Sequence, residues 1–217
     1  GHVRGSPTRR SASTSSMTLK NLKNRYHVCI NFHDIAGICC IHPQLEKTLS
    51  PYLYHNNPFC NFIKKNENGF RQCVNQKNKL FHCCCQQTKP FFGRCYMGIY
   101  EFIYPIYCNN KLAAIFCIGL FSPDFENSCN YVHDNSIKMD LDYRQCIDHY
   151  QSVINTADVP VLEMSYDLLL LSDCICNLYK NHIENIPSLD IIQEESIIQQ
   201  TISFIRNNYN RDLSLEL

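Results

Sequence analysis

The chain has 217 residues, with 20 basic and 20 acidic side chains, so its formal net charge is zero. This balance argues against a nucleic-acid binder that acts through bulk positive charge. Glycine, with 7 residues, is too scarce to favour a glycine-rich phosphate-binding loop. A length near 200 residues allows one large domain, or one domain with part of another. Residues 1–16 are rich in Ser and Arg, which predicts an expression leader or a disordered tail outside the fold.

Cysteine is the most unusual part of the composition, with 15 residues. The odd number and the consecutive run at 83–85 do not favour a disulfide framework, and no secretory signal opens the sequence. We therefore expect reduced thiols and a cytoplasmic location. No apolar stretch is long enough for a membrane-spanning helix, so no membrane partner is expected.

The predicted elements begin with a short helix at residues 18–25 and a strand at 26–34. The turn at 34–37 then predicts a hairpin whose second strand covers 38–41. A Pro-rich passage follows, in which we expect one short helix.

Two consecutive helices come next. Asn57-Pro58 favours a helix start because Pro suits the first helical position, and Gly69 is expected to end that helix. A second helix is predicted at 70–89, where Pro90 stops it. Four of its residues recur at spacings of four, three and four: Cys73, Lys77, Leu80 and Cys84.

The middle of the chain is rich in β-forming residues. Strands are predicted at 91–96, 100–108 and 112–121, and the pair Asn109-Asn110 predicts a tight hairpin turn because Asn tolerates positive φ. From residue 140 onward the pattern indicates helix.

The segment Pro160–Asn185 has the most regular pattern in the sequence. Its apolar residues recur at alternating spacings of three and four, which is typical of a heptad seam. Three interpretations stay open: a core helix that lies against the sheet, a homodimer seam, or one helix that does both. We expect a homodimer through this segment. The seam residues are Val161, Met164, Leu168, Leu171, Ile175, Leu178 and His182.

The usual enzyme motifs are absent: there is no dinucleotide fingerprint, P-loop, zinc-protease helix or nucleophile elbow. We therefore expect a protein that is not an enzyme. A metal site is the sharper alternative, because Cys60, Cys73 and Cys95 with a fourth donor such as His55 or His82 could hold zinc or an iron–sulfur cluster. Their spacings match no standard ligand pattern, and reduced cysteines also serve as small apolar core residues.

Several tyrosines cluster near the second hairpin. Alternation along a strand places Tyr100, Phe102 and Tyr104 on one face and Glu101 with Ile103 on the other. A phenol among apolar side chains suits a small ligand that bears one or two hydroxyls, although aromatic strand residues are commonly plain core.

The order of residues between 57 and 122 resembles the PocR sensory domain of bacterial transcription regulators. The runs NPFCNFIKKNENGFRQCVNQ and GRCYMGIYEFIYPIYCNNKLAAIFCIG carry the likeness. Two positions depart from the family pattern: Tyr96 stands where His is usual, and Gly119-Leu120 where Gly-Gln is usual. The matching residues are Phe59, Cys60, Arg71, Cys73, Cys95, Gly98, Glu101, Pro105 and Ile106.

The resemblance implies an α/β (α+β) fold with a PAS-like antiparallel sheet flanked by helices, and a long C-terminal helix that leads to a helix-turn-helix domain. It also implies recognition of a small hydrocarbon derivative such as a diol or alcohol. We expect the sensory domain at 17–186. Residues 187–217 would be a linker and the first helix of a truncated AraC-type DNA-binding domain, so that DNA is a partner of the full-length protein only.

The resemblance and the strand pattern together give a set of expected site residues. We expect them to line a pocket for the small-molecule ligand, and the thiols among them are also the candidate metal ligands. The set is Phe59, Cys60, Cys73, Cys95, Tyr96, Glu101 and Tyr104. A cysteine-based metal or redox sensor on the same fold is the alternative function.

Overall fold

The computed structural model describes residues 19–41, 43–156 and 160–185. The chain divides into two compact units, 1–180 and 181–217, and of the second unit only its first residues, 181–185, are described. The fold below is therefore that of the first unit. The predicted leader, and the predicted linker and helix-turn-helix segment at 187–217, lie outside the described residues. Within these described ranges, none of the helices has the length and hydropathy needed to span a membrane.

Four antiparallel strands form one sheet in the order β1-β4-β3-β2. The predicted hairpin is confirmed, since β3 and β4 are joined by Asn109 and Asn110 with φ of 52° and 61°. This conformation matches the twist of the flanking strands. The strands are β1 Cys29–Asp34, β2 Phe91–Arg94, β3 Tyr100–Cys108 and β4 Lys111–Phe121.

Helices flank the sheet, so the predicted α/β fold with a PAS-like antiparallel sheet is confirmed. A 3-10 turn at Ser50–Tyr52 follows the third helix. In chain order the helices are α1 at 19–26, α2 Ile38–Ile41, α3 Pro43–Leu49, α4 Pro58–Lys64, α5 Glu67–Gln86, α6 Phe125–Lys138, α7 Tyr143–Gln151 and α8 Val161–Asn185.

Residues 38–41 form the helix α2, so the predicted strand and first hairpin are wrong. The Asp34 carboxylate accepts hydrogen bonds from the backbone N–H groups of Ile38 (2.7 Å) and Cys39 (2.8 Å). These bonds satisfy the free donors of a helix N-terminus, and Gly37, with φ of +71°, lets the chain turn into it. The partner of β1 is therefore β4, whose paired residues lie 80 to 90 positions away in sequence.

Two further helix boundaries differ from the prediction. Helix α4 ends at Lys64, and Gly69 lies in the first turn of α5, where its N–H donates to the Asn66 side chain at 3.0 Å. A Cβ atom on Gly69 would lie 2.4 Å from the Ile63 carbonyl oxygen, so this glycine allows the two helices to touch. Helix α6, capped by Asp124, occupies a stretch for which the sequence predicted no element.

One face of the sheet is covered by a closed apolar cluster. Side chains of α1 and α8 pack there against Phe32, Phe102 and Phe116. The buried α8 residues are Met164, Leu168, Leu171, Ile175 and Leu178. Val161 packs against the same cluster, and the side chain of His182 lies outside the described part of the chain. The five buried residues thus support the interpretation of a core helix, and their side chains are not free to form a dimer interface. A homodimer of the protein stays a prediction.

Candidate ligand pocket

A cavity lies on the opposite face of the sheet, between β1, β2 and β3 on one side and helices α4 and α5 on the other. The space open to the centre of a water molecule is about 90 Å³. Apolar side chains form most of the wall, and a few polar groups converge on it. Such a combination is typical of a small-molecule site.

Helix α4 brings two of the expected residues to this cavity. The Asn57 side chain accepts a hydrogen bond from the Cys60 N–H at 2.8 Å, and Pro58 occupies the first helical position. This cap fixes the first turn, which carries Phe59 and Cys60 into the wall. The ring of Phe59 also packs edge-on against Tyr150, with ring centroids 5.4 Å apart.

The three expected thiols come together, since Cys60, Cys73 and Cys95 all line the cavity. Burial raises the pKa of all three, that of Cys60 to about 12. At neutral pH they are therefore protonated and act as small, polarisable apolar surface. Among the residues that the structure describes, no group of three or more His, Cys, Asp and Glu side chains is arranged to hold a metal ion. Zinc or an iron–sulfur cluster thus stays a prediction without support from geometry.

Glu101 supplies the carboxyl group of the pocket. Its Oε1 atom is buried and has no hydrogen-bond partner in the described chain. Burial raises the pKa of Glu101 to about 7, an effect that the neighbouring Asn31 amide and the Lys77 charge partly offset. The side chain fits against β4 because residue 119 is glycine, where a Cβ atom would lie 2.9 Å from the Glu101 Cγ. A carboxyl oxygen with an unmade hydrogen bond therefore lies in a cavity whose wall is mostly apolar.

Tyr96 forms part of the wall, but its hydroxyl is already occupied. The hydroxyl donates to the Gly69 carbonyl oxygen at 2.8 Å, and the Asn135 side chain donates to the Tyr96 carbonyl oxygen at 2.9 Å. Tyr96 thereby ties the loop between β2 and β3 to α5 and α6. Its phenol closes the pocket and holds the wall in place.

Tyr104 does not line this pocket. Successive residues of β3 point to opposite faces, so that Glu101 and Ile103 reach the pocket while Phe102 and Tyr104 pack in the closed cluster beneath α8. The predicted division of the strand into these two faces is confirmed. For that reason Glu101 and Tyr104 cannot share one site.

Sequence reasoning considered His55 only as a fourth metal donor, and it assigned no ligand-binding role to His33 or Lys77, which also line the pocket. The His33 and His55 rings lie 5.7 Å apart, and burial lowers the pKa of His33 to about 4 and that of His55 to about 3. Both rings are therefore neutral at pH 7. The repeat of Cys73 and Lys77 on one helix face was a usable signal for Lys77. No local pattern marked the histidines, because β1 and the irregular stretch before α4 meet only in the folded protein.

Residues 21–178 match the sequence model of the family described as the sensory domain found in PocR. The chain belongs to the PocR sensory domain family. The match begins in α1 and ends within α8, so it includes the whole sheet and every wall of the pocket. A search of curated proteins and a search of solved structures each found no match. A PocR domain is a sensory module, which agrees with the expectation of a non-enzymatic role.

Proposed function

We propose that this PocR domain senses a small hydrocarbon derivative, such as a diol or alcohol, and passes the signal to a C-terminal helix-turn-helix domain of an AraC-type transcription regulator. The observation that carries the proposal is the buried, unpartnered Oε1 atom of Glu101 in an apolar cavity. A buried polar group without a partner costs about 1–3 kcal/mol, and a ligand hydroxyl that donates to it would recover this energy.

The walls of the cavity suit the carbon skeleton of such a ligand. Phe59, Ile63 and Ile99 are apolar and well buried, and the protonated thiols add apolar surface around Glu101. One end of the ligand would be held by a hydrogen bond and the rest by contact with these side chains. A few precisely placed polar groups in an apolar cavity give orientation and specificity.

Strand β3 provides a route from the ligand to α8. Glu101 lies on its pocket face, whereas its neighbour Phe102 packs in the cluster that holds α8. A ligand that favours one position of β3 would thereby favour one packing of α8, which is a population shift between two states. The sequence at 197–217 resembles the opening helix of a helix-turn-helix domain and lies beyond the described residues. DNA binding is expected of the full-length protein only.

A thermal-shift and calorimetric screen tests the proposal. Propane-1,2-diol, propane-1,3-diol, glycerol and short alcohols are added to the purified protein, and a ligand at 100 times its dissociation constant should stabilise it by about 2.7 kcal/mol. Glu101→Gln should weaken binding of the active compound by at least about tenfold, whereas Tyr104→Phe, on the opposite face, should leave it unchanged. No response to any of these compounds would contradict recognition of a diol or alcohol.

A redox sensor is the second candidate, because two thiols lie next to each other between β3 and α8. Cys108 ends β3 in the closed cluster, and Cys176 of α8 packs against it with its Sγ donating to the Tyr107 carbonyl oxygen at 3.5 Å. A peroxide would oxidise the pair to a disulfide, the two thiols giving up two electrons and two protons as the peroxide is reduced to two molecules of water. Non-reducing peptide mass spectrometry after peroxide treatment should show a Cys108–Cys176 link that Cys176→Ser removes. Two free thiols after treatment would reject this candidate.

A further inference from the structure

The pocket holds a free positive charge as well as a carboxyl group. Lys77 is half-buried on α5 and lines the cavity, and its ammonium makes no hydrogen bond or ion pair with the residues that the structure describes. Its charge helps to lower the pKa of both His33 and His55, and it acts in the same direction on Glu101. Lys77 thus lines the same cavity as His33, His55 and Glu101.

The other two cations beside the cavity are already engaged. The Lys64 ammonium donates to the His55 carbonyl oxygen at 2.9 Å. The Arg94 guanidinium donates to the Tyr100 hydroxyl at 3.2 Å and lies over the Tyr131 ring, 3.9 Å from its centroid. Lys77 is thus the cation of this wall that is left to meet a ligand.

Lys77 and Glu101 do not neutralise each other. No ion pair within 4.0 Å joins them, although both side chains line the same cavity. The Glu101 Oε1 atom has no partner of its own, as described above. An ammonium and a carboxyl group that face one cavity without touching define two separate anchoring points for whatever lies between them.

We propose that the ligand is a short-chain carboxylate with a hydroxyl or amino group at its other end, bound between Lys77 and Glu101. The ligand carboxylate accepts hydrogen bonds from the Lys77 ammonium, and the hydroxyl or amino group donates to the Glu101 carboxyl. This inference rests on the proposed function, since it names the chemical class for the same pocket. A charge-assisted bond to Lys77 is stronger than the neutral bond that a second alcohol group would make there.

The size of the cavity fits a ligand of this class. Its volume of about 90 Å³ is several times the 10–15 Å³ that one water molecule needs by the same measure. A chain of about three to five carbons with one polar group at each end would fill such a space. The apolar wall between the two anchoring points would contact the chain itself.

A matched series of three-carbon compounds tests this inference by calorimetry. The series contains 3-hydroxypropanoate, 3-aminopropanoate, propanoate and propane-1,3-diol, so that each compound differs from another by one end group. We expect the first or second compound to bind at least tenfold more tightly than both of the last two. Lys77→Gln should abolish the advantage over the diol. Glu101→Gln, which keeps an acceptor oxygen but loses the carboxylate charge, should reduce the advantage over propanoate. Lys79→Gln, an exposed position on the same helix, is the control and should change neither ratio.

The outcomes separate this inference from the proposed function. If the diol binds as tightly as the two bifunctional acids, the inference fails while a diol-sensing function stands. If none of these compounds or the polyols of the earlier screen binds, both fail. An acid that binds with its advantage over the diol unchanged in Lys77→Gln would also overturn the inference. Circular dichroism checks that each variant is folded, and the Lys77 comparison decides alone if Glu101→Gln does not fold.

Discussion

The two faces of the sheet differ in whether their buried polar atoms lack hydrogen-bond partners. Beneath α8, apolar side chains such as Leu168 and Ile175 are fully buried and fill the space between helix and sheet. Under α4 and α5, the same sheet borders a cavity with a buried carboxyl oxygen and a buried histidine nitrogen that have no partner among the described residues. The comparison shows how one sheet can hold the fold together with one face and keep the other face open for a ligand.

The unpaired polar atoms on the pocket face destabilise the fold, and the buried apolar side chains on the other face offset this destabilisation. Each buried polar atom without a hydrogen bond destabilises the folded state by about 1–3 kcal/mol, whereas each fully buried Leu or Ile stabilises it by about 1.5–3 kcal/mol. The continuous cluster beneath α8 therefore allows the pocket face to keep groups that a ligand would satisfy.

Truncation of a leucine on each side of α8 should show the largest contrast. Leu168 is fully buried and Leu170 is 68% exposed, although both lie on one turn of the helix. Leu168→Ala should lower the free energy of unfolding by about 3 kcal/mol because it leaves a cavity in the closed cluster, and Leu170→Ala should change it by less than about 0.5 kcal/mol. Urea denaturation measures both. Equal losses of unfolding free energy in the two variants would mean that α8 does not bury Leu168 against the sheet.

The pocket face should govern the dependence of stability on pH. The lowered pKa values of His33 and His55, about 4 and about 3, mean that the unfolded chain binds more protons below pH 6.5, so stability is lost as the pH falls toward 4. The raised pKa of Glu101, about 7, acts in the opposite direction and destabilises the fold as the pH rises from 4.5 through 7. The histidines outweigh the carboxyl, and a net loss of about 3 kcal/mol is expected between pH 7 and pH 4.

Glu101→Gln tests the opposing contributions. The variant lacks the Glu101 carboxyl, whose protonation stabilises the wild type at acidic pH. Its free energy of unfolding should therefore fall more steeply than that of the wild type between pH 7 and pH 4. At pH 8 the variant should be the more stable of the two proteins. Denaturation curves at intervals of half a pH unit measure both slopes. Identical slopes in the two proteins would show that Glu101 does not titrate in this range.

Removal of one tyrosine hydroxyl from each face should give the smallest difference in the free energy of unfolding. Tyr96→Phe deletes the hydrogen bond to the Gly69 carbonyl oxygen and should lower the free energy of unfolding by about 1 kcal/mol. Tyr104 lies on the closed face, and no hydrogen bond of its hydroxyl is found within the described ranges, so Tyr104→Phe should cost less than about 0.5 kcal/mol. Thermal unfolding of the two variants side by side compares the faces. A larger loss of unfolding free energy for Tyr104→Phe than for Tyr96→Phe would contradict the description of Tyr104 as a residue of the closed, apolar face.

Local sequence signals predicted the elements that depend on local interactions. The Asn109-Asn110 hairpin, the helix start at Pro58 and the long helix α8 were all expected from turn residues, a cap and apolar spacing. The family resemblance was confirmed over 21–178, and the expected thiols do line one cavity.

Features that depend on distant parts of the chain were not predictable in this way. The pairing of β1 with β4 joins residues far apart in sequence, so the short apolar run at 38–41 was mistaken for a nearby strand. The prediction also placed Tyr104 in the pocket, because a strand pattern shows which residues share a face but not which face borders the cavity. His33 and His55 meet through tertiary structure alone, and the sequence suggested only His55, as a metal donor.

Strand β3 borders both the cavity and the closed apolar cluster, because adjacent residues point to opposite faces of the sheet. Glu101 lines the cavity and Phe102 packs in the cluster. A substitution that changes the backbone of β3 to admit a new effector would also disturb the apolar cluster against which α8 packs. Changes in effector preference should therefore arise more readily on α4 and α5, which border the cavity without supporting α8, and engineering of a biosensor from this domain should start from those two helices.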